Sequence, residues 1–193
     1  MTNKNSAPTM KDVAREAGVA SDNLAGGQMA VRKLSELGCQ RLLHLSIGSA
    51  LPNEAAKRRD GFVSACVSLN LAYDMLCLTD GTPYSAVDDY LKGCVSGGKF
   101  SFDGIFCGTD HLAVRIMQSL HDLGIRVPED VQIIGFDGMQ DYATGQYLCS
   151  TIVQPIEQIA QTSVELVLSQ DVAQAPSLVC LPVRYANGGT TKE

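Results

Sequence analysis

The 193-residue sequence has no tryptophan, only three histidines and no two cysteines at Cys-x-x-Cys spacing. Its seven cysteines are scattered and fall mostly within apolar stretches, which is typical of buried, reduced thiols in a cytosolic protein. The histidines form no ligand-spaced cluster with them, so neither a metal site nor a cofactor is predicted. No apolar run is long enough to span a bilayer and no signal peptide is recognisable, which predicts a cytoplasmic protein without a membrane partner.

The sequence also lacks the common catalytic and phosphate-binding motifs. No Gly-x-Gly-x-x-Gly follows a predicted strand, and there is neither a Gly-Lys-Ser/Thr loop nor a Gly-x-Ser-x-Gly elbow. A Ser-His-Asp set is not excluded, but nothing places one together, so no catalytic residue is predicted and an enzyme is the least favoured interpretation. The net charge of −6 argues against a broad nucleic-acid surface, so any DNA contact has to be local.

The middle of the chain has the pattern of a strand, a helix and a second strand. The apolar run 105–107, flanked by glycines, predicts a buried strand, and the helical periodicity that follows it stops at Gly124. A second apolar run, 131–136, leads directly into Asp137. Connections this short predict a parallel βαβ unit. Asp110 is expected to cap the helix, whereas Asp137 at a strand end is equally compatible with ligand binding and with shaping a turn.

Most of the remaining chain also shows alternating helical and strand patterns. Helices are predicted at 24–37, 54–69, 84–95 and 156–168, and further strands at 41–47, 75–78 and 179–183. Helices and strands alternate at even spacing, which predicts an α/β fold with a doubly wound parallel sheet. Residues 150–153 are interpreted as an extended crossing segment and the polar tail 187–193 as frayed.

Several motifs within these elements resemble one family. They are Asp22–Gly27, Arg58–Phe62, Asp103–Phe106, Thr109–Asp110, Gly124–Asp130, Gly135–Asp137 and Ser150–Pro155. Together they resemble the effector-binding domain of the lactose-repressor and galactose-repressor (LacI/GalR) family of bacterial transcription regulators, in register from about Ser21 to Thr191. The resemblance implies a periplasmic-binding-protein type I-like C-terminal subdomain with a short helical N-terminal remnant.

The N-terminal end matches the family only in part. Met10–Val19 resembles the first helix and turn of the family's helix-turn-helix, and the match breaks after Ala20. The recognition helix and most of the N-terminal subdomain have no counterpart, so the chain is interpreted as internally deleted or unusually spliced. Residues 1–20 are then a partial helix-turn-helix, with Lys11 and Arg15 as DNA contacts, and 21–193 are the effector-binding domain.

Two predicted helices are affected by the missing N-terminal subdomain. The resemblance assigns helices 24–37 and 156–168 to the N-terminal subdomain, whose sheet has no counterpart. Each helix is therefore expected to carry an uncovered apolar stripe, which packs on the other helix, on the main sheet or on a second chain. The side chains expected to point inward from the second helix are Ile156, Ile159, Ala160, Val164 and Val167.

The resemblance also implies an effector site. Arg58, Thr109 and Asp137 match family positions that contact the effector, as a bidentate donor, a small polar residue and a strand-end carboxylate. Asp22 matches a position near the cleft on the other lobe. Tyr84 is a substitute for an aromatic ring that some members stack on the ligand. The alternatives are a surface arginine for Arg58 and a turn residue for Asp137.

The implied function is a LacI/GalR-type regulator, a DNA-binding homodimer whose affinity for its operator responds to a small-molecule effector, a sugar or similar polar ligand. The break after Ala20 implies a truncated regulator impaired in DNA binding. The alternative is a sugar- or small-ligand-binding module that has no DNA recognition and acts through dimerisation.

Overall fold

The computed structural model describes residues 9, 13–14, 16–47, 53–79, 81–168 and 178–192. They form two compact units: a larger one of residues 23–153 and 184–193, and a smaller one of residues 1–22 and 154–183. The domain boundary predicted between residues 20 and 21 stays a prediction.

The elements are numbered in chain order. The helices are α1 Asn23–Glu36, α2 Glu54–Ser68, α3 Tyr84–Gly93, α4 Asp110–Asp122 and α5 Ile156–Leu168. The strands are β1 Val19–Ser21, β2 Arg41–Ile47, β3 Ala72–Leu78, β4 Val95–Ser96, β5 Lys99–Phe100, β6 Gly104–Cys107, β7 Gln132–Asp137, β8 Thr151–Val153, β9 Val179–Leu181 and β10 Arg184–Ala186.

The larger unit is built on a sheet with strand order β10-β8-β7-β6-β2-β3. All neighbours in it pair in parallel except β10, which runs antiparallel to β8. The predicted parallel α/β sheet is therefore confirmed. Because the chain leaves β2 for β3 on one side and returns to β6 on the other, the strand order reverses between β2 and β6. In such sheets the carboxyl end of the reversal point is where ligands bind.

Two parts of the chain form hydrogen bonds with the sheet that were not predicted. Residues 151–153, interpreted as part of a crossing segment, form β8 and pair with β7. The tail was expected to fray, which is wrong: Thr190 and Thr191 are buried. The Thr190 hydroxyl donates to the Ile133 carbonyl over 2.7 Å, and the Lys192 N–H donates to Gln132 Oε1 over 2.8 Å. These polar residues are buried because they complete the hydrogen bonds of β7.

Both faces of the sheet are covered, as the doubly wound arrangement requires. On one face α3 and α4 pack on alternating residues of β2, β6 and β7, including Leu43, Ile105 and Ile133. On the other face the rings of Phe62, His44 and Phe106 stack, with centroid distances of 5.2 and 5.1 Å on either side of His44. The seven cysteines are all free, and four of them are buried.

Helix α1 lies on this second face, which corrects one expectation. A Cβ added to Gly26 would lie 2.6 Å from the Phe136 ring, so the backbone of α1 sits directly on the sheet. Added Cβ atoms at Gly27 and Gly61 would each lie 2.1 Å from a carbonyl oxygen of the facing helix, so α1 and α2 pack backbone to backbone. Helix 24–37 thus packs on the main sheet, which is one of the three alternatives expected, whereas its assignment to the N-terminal subdomain is wrong.

The smaller unit contains β1, β9 and α5. The strands β1 and β9 pair in parallel, with Val19 opposite Val179 and Ser21 opposite Leu181. Three of the residues expected to form the apolar stripe of α5 are exposed, as expected for a stripe left uncovered: Ile156 by 58%, Val164 by 45% and Val167 by 58%. The buried side chain of this helix is Ser163. No helix in the described part of the chain has the length and apolar character needed to cross a membrane.

His44 makes the stability of the larger unit dependent on pH. Its Nδ1 lies 3.0 Å from the Phe106 carbonyl oxygen, and burial lowers its pKa from 6.5 to about 4. Between these values the unfolded chain binds a proton that the folded chain does not. The free energy of unfolding therefore falls as the pH drops from 6.5 to 4, by about 3 kcal/mol from this residue. Urea unfolding at pH 7 and pH 4.5 measures the difference.

The variant His44→Leu is expected to lose this component, while titrating carboxylates contribute equally to both proteins. His121→Gln serves as the control, because the His121 side chain is 84% exposed. An unchanged pH dependence in His44→Leu contradicts the assignment.

Candidate functional site

Arg58 and Asp137 meet at the carboxyl edge of the parallel sheet. Arg58 lies in the second turn of α2, which follows β2, and Asp137 is the last residue of β7. Arg58 Nη1 and Asp137 Oδ1 are 3.5 Å apart. This separation is longer than an ordinary charged hydrogen bond, so the two groups form a loose ion pair.

The Arg58 guanidinium is held on several sides although it is buried. Its Nε donates to Asn23 Oδ1 over 2.7 Å, and its Nη1 donates to the Gly108 carbonyl over 2.6 Å. Its plane lies over the Phe136 ring, with Cζ 3.7 Å from the ring centroid. The aromatic face and the fixed acceptors leave the group little freedom to rotate.

The electrostatics of the site are those of a buried cation among carboxylates. Burial lowers the pKa of Arg58 from its ordinary value, and the charges of Asp137, Glu54 and Asp110 oppose that shift. The guanidinium remains charged at neutral pH, since its ordinary pKa is far above 7. Its Nη2 amine makes no hydrogen bond to any residue that the structure describes, so it can donate to a bound molecule.

Asp137 and Thr109 sit on backbone that fixes where they point. Asp137 has a φ of 128°, a conformation that is strained for any residue with a side chain. Strain of this kind at a strand end is a frequent property of ligand sites. Thr109 is the N-cap of α4, and its Oγ1 accepts from the Leu112 N–H over 3.2 Å. Its hydroxyl proton can still be donated elsewhere.

The structure corrects the role expected for Asp110, because Thr109 performs the capping. Asp110 is fully buried, and its Oδ2 accepts from the N–H groups of Gly138 and Met139 over 2.9 and 2.7 Å. Its Oδ1 accepts from the Thr151 hydroxyl over 2.6 Å. This carboxylate therefore ties the turn after Asp137 to β8 and supports the site from beneath.

The remaining predicted site residues lie elsewhere or are not described. Tyr84 is 49% exposed, and its ring lies 5.8 Å from Arg115 Cζ on α4. Asp22 belongs to the smaller unit, where its N–H donates to the Leu181 carbonyl over 2.8 Å. Lys11 and Arg15 lie outside the described residues. The effector role of Tyr84 and Asp22 stays a prediction.

Three groups of the site were missed by sequence reasoning: the Asn23 amide, the Gly108 carbonyl and the Phe136 ring. Asn23 and Phe136 each stand next to a residue that was singled out, Asp22 and Asp137 respectively. Gly108 and Phe136 could have been found from their positions, because they lie at the ends of adjacent parallel strands. A backbone carbonyl as an arginine acceptor has no signal in the sequence.

Other candidate sites are weaker. An open groove of about 760 Å³ runs along α4, beside Met117, His121 and Arg126. It adjoins the loop that precedes β7, away from the carboxyl ends of the strands. Among the described residues, no group of three His, Cys, Asp or Glu side chains could hold a metal ion.

Comparison with known proteins supports the same region. The family model of the periplasmic binding protein-like domain matches residues 31–191. The chain belongs to this family. The matched range includes Arg58, Gly108, Phe136 and Asp137, whereas Asn23 precedes it. The resemblance to LacI/GalR regulators is confirmed.

Individual relatives are regulators that are longer than this chain. The ribose operon repressor of Halalkalibacterium halodurans is 31% identical over 157 residues, which cover 79% of this chain and 45% of the repressor. The chain thus spans somewhat less than half of that relative's length. The relatives compared are repressors and transcription regulators rather than enzymes.

Two solved structures show the same fold. One is a periplasmic binding protein/LacI transcriptional regulator from Alkaliphilus metalliredigens complexed with D-xylulofuranose, with a TM-score of 0.71, 29% identity and coverage of 91% of this chain and 65% of the other. The second is a LacI family transcriptional regulator from Enterococcus faecium with bound ribose, with a TM-score of 0.71, 28% identity and coverage of 90% and 64%.

Replacing Asp110 tests its role as a buried acceptor. In Asp110→Asn the new NH₂ group cannot accept from the donors that meet the carboxylate, so at least one buried N–H or O–H loses its partner. The free energy of unfolding is expected to fall by about 3 kcal/mol, measured by urea denaturation. Asp122→Asn, whose side chain is 66% exposed on the same helix, is expected to change it by less than about 0.5 kcal/mol. Equal effects contradict the buried role.

Proposed function

We propose that this chain is the effector-binding part of a cytoplasmic LacI/GalR-type transcription regulator, and that Arg58 and Asp137 bind a neutral sugar or similar polyhydroxylated effector. The observation that carries the proposal is the pairing of a buried guanidinium with a strand-end carboxylate. They lie 3.5 Å apart at the carboxyl edge, and the Arg58 Nη2 has no acceptor among the described residues.

The chemistry of these groups favours hydroxyl-rich ligands. A sugar hydroxyl can accept from Arg58 Nη2 while a neighbouring hydroxyl donates to the Asp137 carboxylate. Because the cation and the anion stand together, a neutral molecule meets both without bringing an uncompensated charge into the site. The Thr109 hydroxyl adds a third polar group near the same strand ends.

The relatives support a sugar more than another polar ligand. The structures from Alkaliphilus metalliredigens and Enterococcus faecium hold D-xylulofuranose and ribose, and the similar repressor from Halalkalibacterium halodurans is named for the ribose operon. A pentose is therefore the first ligand to test.

A regulator of this type binds operator DNA and a second copy of the chain. The regulator assignment follows from the names of the relatives, which are repressors and regulators. The predicted DNA contacts, Lys11 and Arg15, are outside the described residues, so DNA binding and homodimerisation rest on family membership.

A second candidate is a ligand-binding module that lacks DNA recognition and acts by dimerising with a longer relative. The observation in its favour is strand β1, Val19–Ser21, which begins directly after Gly18. A helix-turn-helix requires a second helix after its turn. Gel retardation of operator DNA by this chain alone, compared with a mixture containing a full-length relative, separates the two functions.

Calorimetric titration with D-ribose and a series of other pentoses and hexoses tests the ligand site. Arg58→Met removes the buried donors, and Asp137→Asn removes the charged acceptor. Each is expected to weaken binding by roughly 10- to 100-fold, since a hydrogen bond to a charged group contributes ~1.5–3 kcal/mol.

The adjacent Arg59 gives a matched control for this experiment. It lies on the same helix and pairs with Asp60 at 2.9 Å, with 40% of its side chain exposed. Arg59→Met is expected to keep the affinity of the unmodified chain. Equal losses in Arg58→Met and Arg59→Met, or no binding of any sugar in the series, contradict the proposed function.

A further inference from the structure

The Asn23 amide lies between Arg58 and a second carboxylate, Glu54. Asn23 is the first residue of α1 and is 3% exposed. Its Oδ1 accepts from Arg58 Nε over 2.7 Å, and its Nδ2 donates to Glu54 Oε2. Glu54 stands four residues before Arg58 on α2, so the three side chains form a closed path between two helices.

The chemistry of the two neighbours sets the orientation of this amide. A guanidinium only donates hydrogen bonds and a carboxylate only accepts them, whereas an amide does both at opposite ends. Asn23 therefore satisfies both partners in one orientation only, with oxygen toward Arg58. Glu54 is itself held, because its Oε1 accepts from Lys57 Nζ over 3.0 Å.

We propose that Asn23 and Glu54 are positioning residues, which set the rotation of the Arg58 guanidinium so that its Nη2 faces the ligand. The inference rests on the proposed function of the site. Neither residue has to touch the ligand. The bond from Nε to Asn23 fixes one edge of the planar group, and the bond from Nη1 to the Gly108 carbonyl fixes a second point. Two fixed points on a rigid plane determine where Nη2 is directed.

A purely structural role for the path would be to join α1 to α2, but these helices are joined independently. Their backbones touch at Gly27 and Gly61, and Gln28 Nε2 donates to Ser64 Oγ over 3.2 Å. Joining the helices therefore does not require the hydrogen bonds from Glu54 through Asn23 to Arg58, whereas orienting the Arg58 guanidinium does.

Exchanging the two groups of the path tests the proposal. Asn23→Asp places two carboxylates in contact. Glu54→Gln replaces a group that only accepts by an amide that can accept from Asn23 or donate to it, so that the Asn23 amide is no longer oriented from this side. Each single variant is expected to weaken D-ribose binding by roughly tenfold. The double variant Asn23→Asp/Glu54→Gln again presents an oxygen to Arg58, with the original net charge. It is expected to restore the affinity to within about threefold.

Two further measurements separate positioning from a loss of fold. Gln28→Ala removes the separate side-chain bond from α1 to Ser64 of α2 and is expected to leave the affinity unchanged. The Nε–H resonance of Arg58, assigned by its loss in Arg58→Met, reports the bond to Asn23 directly. It is expected to be sharp in the unmodified and double-variant proteins and exchange-broadened in both single variants.

The Arg58 Nε–H resonance can be measured without a ligand, so a failure of the positioning role can be told from a failure of sugar binding. If no sugar binds to the unmodified chain, the proposed function fails and the Nε–H resonance alone decides whether Glu54 and Asn23 hold Arg58. If the Asn23 variants do not fold, Glu54→Gln decides, since the Glu54 side chain is 46% exposed and its loss is tolerable. Unchanged affinity and an unchanged resonance in Glu54→Gln overturn the proposal, as does a folded double variant without rescue.

Discussion

The burial of the Arg58 guanidinium sets the requirement that the surrounding residues meet. A buried cation is costly unless its donors are satisfied and a counter-charge is near. Here α1 supplies an amide, the turn after β6 a carbonyl, and β7 an aromatic ring and a carboxylate. Four elements distant in sequence are thereby brought to one point, which lies at the reversal of strand order.

Asp137, the counter-charge of Arg58, is itself held in place by buried hydrogen bonds. Asp137 has a strained φ of 128°, and the turn that follows it is fastened by the buried carboxylate of Asp110. Gly135 has no room for a side chain, since an added Cβ would lie 2.2 Å from Asp110 Oδ1. The strain at the ligand edge is thus balanced by hydrogen bonds that do not face the ligand.

The parallel sheet could be predicted because short apolar runs and helical periodicity are local properties of the sequence. The limits of β2 and α5 agree with the prediction residue for residue. Whether an apolar helix face is covered by other residues cannot be predicted from the local sequence. Periodicity shows that Ile156 and Val164 share a helix face, but their exposure depends on partners far along the chain. Likewise Thr109 and Asp110 are both good caps, and a shift of one residue in the helix start turns Asp110 into a buried acceptor.

The residues alone predicted the site only as positions at strand ends, Thr109 and Asp137, and the resemblance to the family added Arg58. Arg58 and Asp137 are separated by 79 residues, and their contact follows from the strand order rather than from either motif. The most direct measurement is a crystal structure of the chain grown with D-ribose. The account predicts that ribose hydroxyls lie within hydrogen-bond distance of Arg58 Nη2 and the Asp137 carboxylate. Ribose bound instead in the groove along α4, with the Arg58–Asp137 pair unoccupied, would contradict it.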